Sequence, residues 1–464
     1  MNVVYMASLR KTLLVGAVYV AAMILLSGCR PLWLDEILQL LYTRDSSPTQ
    51  MVSHLGTNPG ASPLGYLTQQ IVLKIFGYSI WSARLPAAVF GGAALVTTIL
   101  LAGELGLASG WTGWIFAALP LNVRYATEAR MYSQALFFSV LATLLYVRMT
   151  KKPGWKPAAV YGLTIAIAAY TQPYSVSVGM AHILWSLVYR ERKSALLGGI
   201  AFVTAVLAYL PWYFWSKDLW RIGTPPDQHF SASLKTPLML FRELAGGGYW
   251  VSGLLVILCA LALARGTINR RNGTLLILLI GVPLLSVFAG DAWFSYFLAA
   301  RQFIWVLPAI AILAGNSGWR NHLAPALLGL LLMVSACQSM RYFIRPSENW
   351  QAAADVIAAR IQAGACLSVA PSDHLPLYEF FRPGLHPSPC HCSQWILALT
   401  PYSTAQQRDT ALREFRRQGY RPENETFVGG TTIVRFRRQL LQHFPTLSPP
   451  IRSGPGHTLV AQSD

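Results

Sequence analysis

Apolar runs approaching membrane length recur from residue 12 to about residue 340, separated by short polar or basic stretches. About 20 consecutive apolar residues suffice to cross a bilayer as a helix. The pattern predicts about eleven spanning helices, at 12–28, 83–103, 110–123, 133–150, 157–172, 174–189, 195–215, 249–265, 273–289, 302–316 and 322–339. Beyond 340 the periodicity changes. "SENWQAAADVIAARIQAG" has helical spacing, with Ser347 placed to cap it and Gly364 to stop it. "CLSVA" and "TTIVRFR" have strand character. The expectation is a transmembrane domain over 1–340, a small soluble α/β domain over 341–442, and a disordered Pro-, Ser- and Gly-rich tail over 443–464.

The first long loop, 29–82, is not plainly polar. "PLGYLTQQIVLKIFG" carries apolar residues at helical spacing with Gln69, Gln70 and Lys74 interleaved, which predicts a helix lying in the membrane interface. A short spanning helix there would invert every later loop.

Composition agrees with the pattern. The 464 residues are 54% hydrophobic and 12% charged, with a mean hydropathy of +0.41; a soluble domain is usually about 25% charged. The net charge of +18 does not call for nucleic acid. Much of it sits in short loops, at Arg10 and Lys11, "RMTKKPGWK", "RERK", Arg265 with Arg270 and Arg271, and Arg320. Placing these loops in the cytoplasm satisfies the positive-inside rule. Loop 29–82, the segment 124–132, the stretch before 302 and the soluble domain then face outward. On that side Cys366 can pair with Cys390 or Cys392 if the compartment is oxidising.

Charge within apolar surroundings needs a reason. Asp35 and Glu36 lie just after the first helix, in "WLDEILQL". "RYATEARMY" brings Arg124, Tyr125, Glu128, Arg130 and Tyr132 to the same side; if helical, Arg124, Glu128 and Tyr132 share one face. "AARQFIWVLP" adds Arg301 at a helix end. Carboxylates and arginines at one interface suit a sugar carried on a lipid phosphate. Asp35 or Glu36 would take a proton from the incoming hydroxyl, and Arg130 and Arg301 would hold the phosphate.

These pieces resemble, in order, the GT-C membrane glycosyltransferases, in particular the family 39 relatives that include protein O-mannosyltransferases and the aminoarabinose transferase of lipid A. "WLDE" is similar to their first-loop acidic motif, "SPLGYLTQQIVLKIFGYSIWSARLPAAVFG" to the interfacial helix and the Arg-Leu-Pro start of the next span, "RYATEARMYS" to their Tyr-x-x-Glu-Ala-Arg-Met-Tyr motif, and "RQFIWVLPAIAILAG" to an Arg-aromatic helix. The resemblance implies a GT-C fold in a bacterial plasma membrane, with site and soluble domain on the periplasmic or extracellular side; the eleven helices read from the apolar runs are fewer than in the best-known members. It implies a polyprenyl-phosphate-sugar donor, a glycan, lipid or protein acceptor, and inversion at the anomeric carbon. Asp35 becomes the base, with Glu36 and Glu128 beside it. Arg84, Arg124, Arg130 and Arg301 become phosphate ligands, and Tyr125 and Tyr132 substrate contacts. Some members use a divalent cation, Mg or Mn, for which Asp35, Glu36 and Glu128 are the candidate ligands. The chain departs from many relatives in having Ala61-Ser62-Pro63-Leu64 where they have His-Pro-Pro-Leu. A transporter or flippase of lipid-linked sugars is the alternative; charges gathered at one face, with no internal repeat, weigh against it.

Overall fold

The computed structural model describes residues 3–55, 62–220, 236–294, 299–317, 323–385 and 392–438. Two compact units follow one another, 1–352 and 353–464. The break falls later than the expected 340/341, because the last long helix of the first unit runs on to Ile344 and the residues after it stay with that unit.

Among the described residues the first unit is all helical. It comprises α1 (Val3–Ser27), α2 (Leu34–Thr43), α3 (Pro48–Leu55), α4 (Pro63–Phe76), α5 (Ile80–Glu104), α6 (Ser109–Ala118), α7 (Pro120–Ala126), α8 (Tyr132–Lys151), α9 (Trp155–Thr171), α10 (Ser177–Val188), α11 (Arg192–Trp220), α12 (Thr236–Leu244), α13 (Tyr249–Ala264), α14 (Arg270–Phe294), α15 (Leu307–Gly315) and α16 (Leu323–Ile344); α17 (Trp350–Gln362) follows. Among the described residues six helices are long and apolar enough to span a membrane: the Leu9–Ser27 part of α1, α5, α8, Arg192–Ser216 in α11, Arg270–Gly290 in α14, and α16. Leu238–Leu244 of α12 and α13, bent by 93° at their break, form either a broken seventh span or a re-entrant pair.

The remaining four expected spans fall on shorter helices, 157–172 on the 17-residue α9. Pro120 splits 110–123 into α6 and α7, since a proline opens a new helix more readily than it continues one. The segment 174–189 spends its first turn as a 3-10 helix and leaves α10 with 12 residues. Likewise 302–316 begins as the 3-10 helix Ala300–Val306 and ends as α15, all nine of whose residues are buried. A helix walled by protein need not reach lipid-spanning length.

Charge is sorted to the two ends of the bundle. Glu104, at the end of α5, pairs with Arg148 at 3.0 Å and Lys151 at 2.7 Å, at the end of α8, and Glu191 pairs with Arg271. The acids and arginines of the sequence motifs gather at the opposite end, where α5 and α8 begin.

Helix α4 shows how sequence polarity can mislead. At 14 residues it falls short of a span. Its apolar residues Ile71, Ile75 and Phe76 are exposed, as suits contact with lipid, while Tyr66, Gln69 and Gln70 are buried. Gln69 is the hub. Its Oε1 accepts from Thr43 Oγ1 at 2.8 Å and Gln39 Nε2 at 3.1 Å, and its Nε2 donates to the carbonyl oxygens of Ala83 at 3.1 Å and Ala129 at 3.4 Å. One buried amide thus joins α2, α5 and the segment before α8. Gly65 permits this approach: a Cβ there would stand 2.3 Å from Met131 Cβ. Gly65→Ala is expected to cost about 1–3 kcal/mol, the usual penalty for overpacking. Thermal unfolding of the detergent-purified protein measures it; an unchanged midpoint would contradict the tight contact.

The second unit holds a four-stranded sheet of β1 (Cys366–Ala370), β2 (Gln394–Leu399), β3 (Tyr420–Val428) and β4 (Thr431–Arg438), in the order β1-β2-β4-β3. β1 and β2 run parallel, and β4 is antiparallel to both β2 and β3. Phe415 of the helix α19, which spans Ala405–Arg417 and follows the short α18 (Leu375–Glu379), packs with Val434 and Phe436. Cys366 pairs with Cys392. Cys390 and the tail expected to be disordered lie outside the described residues. At α17 the capping side chain is Asn349, whose Oδ1 accepts the Ala352 amide at 3.0 Å, in place of Ser347. Gly364, with φ +87, ends that helix as expected.

Candidate active site

Asp35 and Glu36 occupy successive positions in the first turn of α2. Neighbours on a helix point about 100° apart, so adjacent acids can have unlike surroundings. Here they do. Glu36 is wholly buried. Its Oε1 accepts from Arg84 Nε at 2.7 Å and the Ala129 amide at 2.5 Å; its Oε2 accepts from Arg84 Nη2 at 2.6 Å and the Trp33 amide at 3.3 Å. A carboxylate has about four acceptor sites, and these four contacts fill them.

Arg84 is equally committed. Nε and one Nη2 hydrogen go to Glu36, Nη1 donates to the carbonyls of Ser27 and Arg30, and Nη2 also donates to that of Pro31. A guanidinium has five N–H donors, and all five are spent. In this structure neither Glu36, expected as a base, nor Arg84, expected as a phosphate ligand, keeps a hydrogen-bonding site for substrate. Together they clamp the 27–36 turn to the start of α5 and to Ala129.

Asp35 is held open by that clamp. Its side chain is 17% exposed, and Arg301 Nη1 stands 3.5 Å from Oδ2. Oδ2 is buried and makes no hydrogen bond. Arg130 Nη1 donates to the Asp35 carbonyl at 3.0 Å, while Arg130 Nε is buried without a partner. Burial alone would lower the Arg130 pKa; the nearby Tyr132 and Asp35 oxygens outweigh it, and the net shift is upward. The guanidinium is therefore a permanent cation. Two arginines and a carboxylate thus meet with unsatisfied buried atoms among them, and such atoms in a native site ask for a ligand.

Glu128 forms a second group. Its Oε1 accepts from Arg124 Nε at 2.9 Å and Tyr342 Oη at 2.5 Å, and its Oε2 is buried and unpartnered. The Arg124–Glu128 pair anticipated from spacing is present, though not on one continuous helix: α7 ends at Ala126 and α8 begins at Tyr132. Tyr132 therefore does not continue the Arg124–Glu128 face. Its ring packs against that of Tyr125, with centroids 4.7 Å apart, and lies 5.7 Å from the Arg130 guanidinium.

Sequence reasoning missed Tyr342 at the end of α16, Trp33, and Arg30, whose guanidinium sits 3.7 Å above the Tyr342 ring. Each lies at a helix end or in a turn where no spacing marks it. Among the described residues no three His, Cys, Asp or Glu side chains could hold a metal ion, and Glu36 has no oxygen to offer.

Beside the two groups lies a cavity of about 280 Å³, bounded by residues of α7, the end of α12, the Ala299–Arg301 segment and α16, with Arg124, Tyr125, Arg301 and Tyr342 in its wall.

Residues 59–215 match the family described as dolichyl-phosphate-mannose-protein mannosyltransferase, a stretch that holds Arg84, Arg124, Glu128 and Arg130 and stops short of Asp35. ArnT from Cupriavidus metallidurans in the apo state superposes with a TM-score of 0.57 at 14% identity, over 92% of this chain and 98% of that one. ArnT bound to undecaprenyl phosphate gives 0.54 at 14% identity, over 91% and 97%. Arabinofuranosyltransferase AftD from Mycobacteria gives 0.54 at 15% identity, over 92% of this chain and 40% of its own length. No curated protein matches in sequence. The structural likeness shows an ArnT-like fold of the GT-C type, and about a third of the chain matches the mannosyltransferase family.

Proposed function

We propose that the chain moves one sugar from a polyprenyl-phosphate donor to a hydroxyl of a glycan, lipid or protein, at the periplasmic or extracellular face of a bacterial plasma membrane. The observation that carries this reading is the meeting of Asp35, Arg130 and Arg301 with unsatisfied buried atoms between them. The similarity to ArnT, one structure of which binds undecaprenyl phosphate, supports the donor class. The basic residues at the opposite end of the bundle support the orientation.

In this reading the acceptor oxygen attacks the anomeric carbon from the side opposite the phosphate. The new carbon–oxygen bond forms as the carbon–phosphate-oxygen bond breaks, the acceptor proton passes to Asp35, and polyprenyl phosphate leaves. One displacement inverts the anomeric carbon. Arg130 and Arg301 offer paired donors to the phosphate as its charge grows, which is where stabilisation acts on the rate. Glu36 and Arg84 position Asp35. Glu128 keeps one oxygen for a substrate hydroxyl, held in place by Arg124 and Tyr342.

Binding of undecaprenyl phosphate to the purified protein tests the donor half. Arg130→Lys should weaken it by about tenfold, since an ammonium cannot reproduce the planar paired contact, and Arg130→Ala by more; a hydrogen bond to a charged group is worth roughly 1.5–3 kcal/mol. Wild-type affinity in Arg130→Ala would remove this residue from the phosphate site.

A further inference from the structure

We propose that the cavity beside the broken pair α12–α13 holds the glycosyl group of the donor, and that Glu243 is the residue that selects which sugar fits. This rests on the transfer reading above.

The break is constructed. Gly246 N donates to the Glu243 carbonyl and Gly247 N to that of Arg242, each at 2.8 Å, with φ of +76 and +87 at the two glycines. A Cβ on Gly246 would stand 2.3 Å from Pro120 Cβ, so only glycine lets the turn lie against α7. Gln338 Nε2 donates to the Gly246 carbonyl at 2.6 Å and ties the same turn to α16. Non-helical backbone at membrane depth is tolerated where it lines a cavity, and here it does. The result fixes the last turn of α12, and Glu243 with it, as one wall of the 280 Å³ space.

Glu243 suits a sugar and repels a phosphate. Among the described residues its carboxylate takes one long hydrogen bond, 3.4 Å from the Ala300 amide, so most of its acceptor capacity is unspent, and the residue lines the cavity. A carboxylate can accept from two neighbouring hydroxyls at once, which reads their relative configuration. A phosphate beside it would meet like charge. The cavity is thus polarised: Arg301, shared with the Asp35 group, draws the phosphate to one side, and Glu243 is left to the uncharged sugar. Tyr125 and Tyr342 line the same space and offer rings to the apolar face of a pyranose or furanose. Ligand pockets begin at roughly 300 Å³, so this one suits a single ring.

The experiment measures affinities of the full-length protein in nanodiscs for bare undecaprenyl phosphate and for undecaprenyl-phosphate donors carrying hexoses that differ at one hydroxyl, or a pentose. Wild type should prefer one sugar by about tenfold or more, as expected for a hydrogen bond to a charged group. Glu243→Gln should erase most of that preference, with bare undecaprenyl phosphate bound as well as before or better. Glu243→Asp, which keeps the charge but withdraws it by one methylene, should fall between; thermal unfolding confirms that both variants fold. An unchanged sugar preference in Glu243→Gln would overturn the proposal, as would an equal loss of bare phosphate and sugar-bearing donors. A wild type that binds bare undecaprenyl phosphate but no sugar-bearing donor overturns the sugar subsite alone. One that binds neither overturns the donor reading with it.

Discussion

Asp35→Asn should lower the turnover of sugar transfer by about 100-fold or more, the usual scale for losing a general base. The amide is nearly the size of the carboxylate. The contacts that position the residue, the Glu36–Arg84 clamp and the bond from Arg130 to the Asp35 carbonyl, do not use its carboxylate and survive the change. Undecaprenyl-phosphate affinity and thermal stability should therefore hold while turnover falls. The assay follows labelled sugar from an undecaprenyl-phosphate donor into a bacterial envelope extract. Wild-type turnover in Asp35→Asn would transfer the base role elsewhere, and Glu128, with its unpartnered buried oxygen, would be the next residue to change.

The largest loss of stability should come from Arg84→Ala. It leaves Glu36 buried, charged and short of two of its four hydrogen bonds, and frees three carbonyls of the 27–31 turn. Removing one partner of a buried ion pair costs about 3–5 kcal/mol. Removing both is gentler, so Arg84→Met combined with Glu36→Met should be more stable than Arg84→Ala alone. Thermal unfolding and donor affinity together separate two accounts. A clamp predicts that the melting point drops first and that activity falls because Asp35 is no longer held in place. If Arg84→Ala instead melted like wild type but lost undecaprenyl phosphate, Arg84 would be the phosphate ligand that its place in the sequence suggested.

Those two residues show where sequence reading stops. The motif acids and arginines were legible because charge is rare next to apolar runs, and Asp35, Glu128, Arg130 and Arg301 do gather at one end of the bundle. The division of labour between Asp35 and Glu36 was not legible. It is set by a partner 48 residues away and by a main-chain amide 93 residues away. Gln69 looked like the wet side of an interfacial helix and is the buried hub of its packing. The paired Arg124 and Glu128 were foreseen from a helical spacing, and the contact forms across a helix end instead. Glu243 and Tyr342 carried no signal, since each reaches the site only through the path of its helix in space. The helix breaks inside 110–123, 174–189 and 302–316 were not legible from hydropathy, which does not register Pro120, a 3-10 turn or, at α15, burial in protein in place of lipid.

The central claim is that one bond breaks, between the anomeric carbon and the phosphate oxygen. Purified wild-type protein in proteoliposomes, given undecaprenyl-phosphate sugars and an envelope extract, should consume a donor and release one undecaprenyl phosphate for each sugar transferred, read by mass spectrometry of the lipid. Donors left intact across the whole sugar panel, or a donor lost as free undecaprenol with a sugar phosphate, would contradict it.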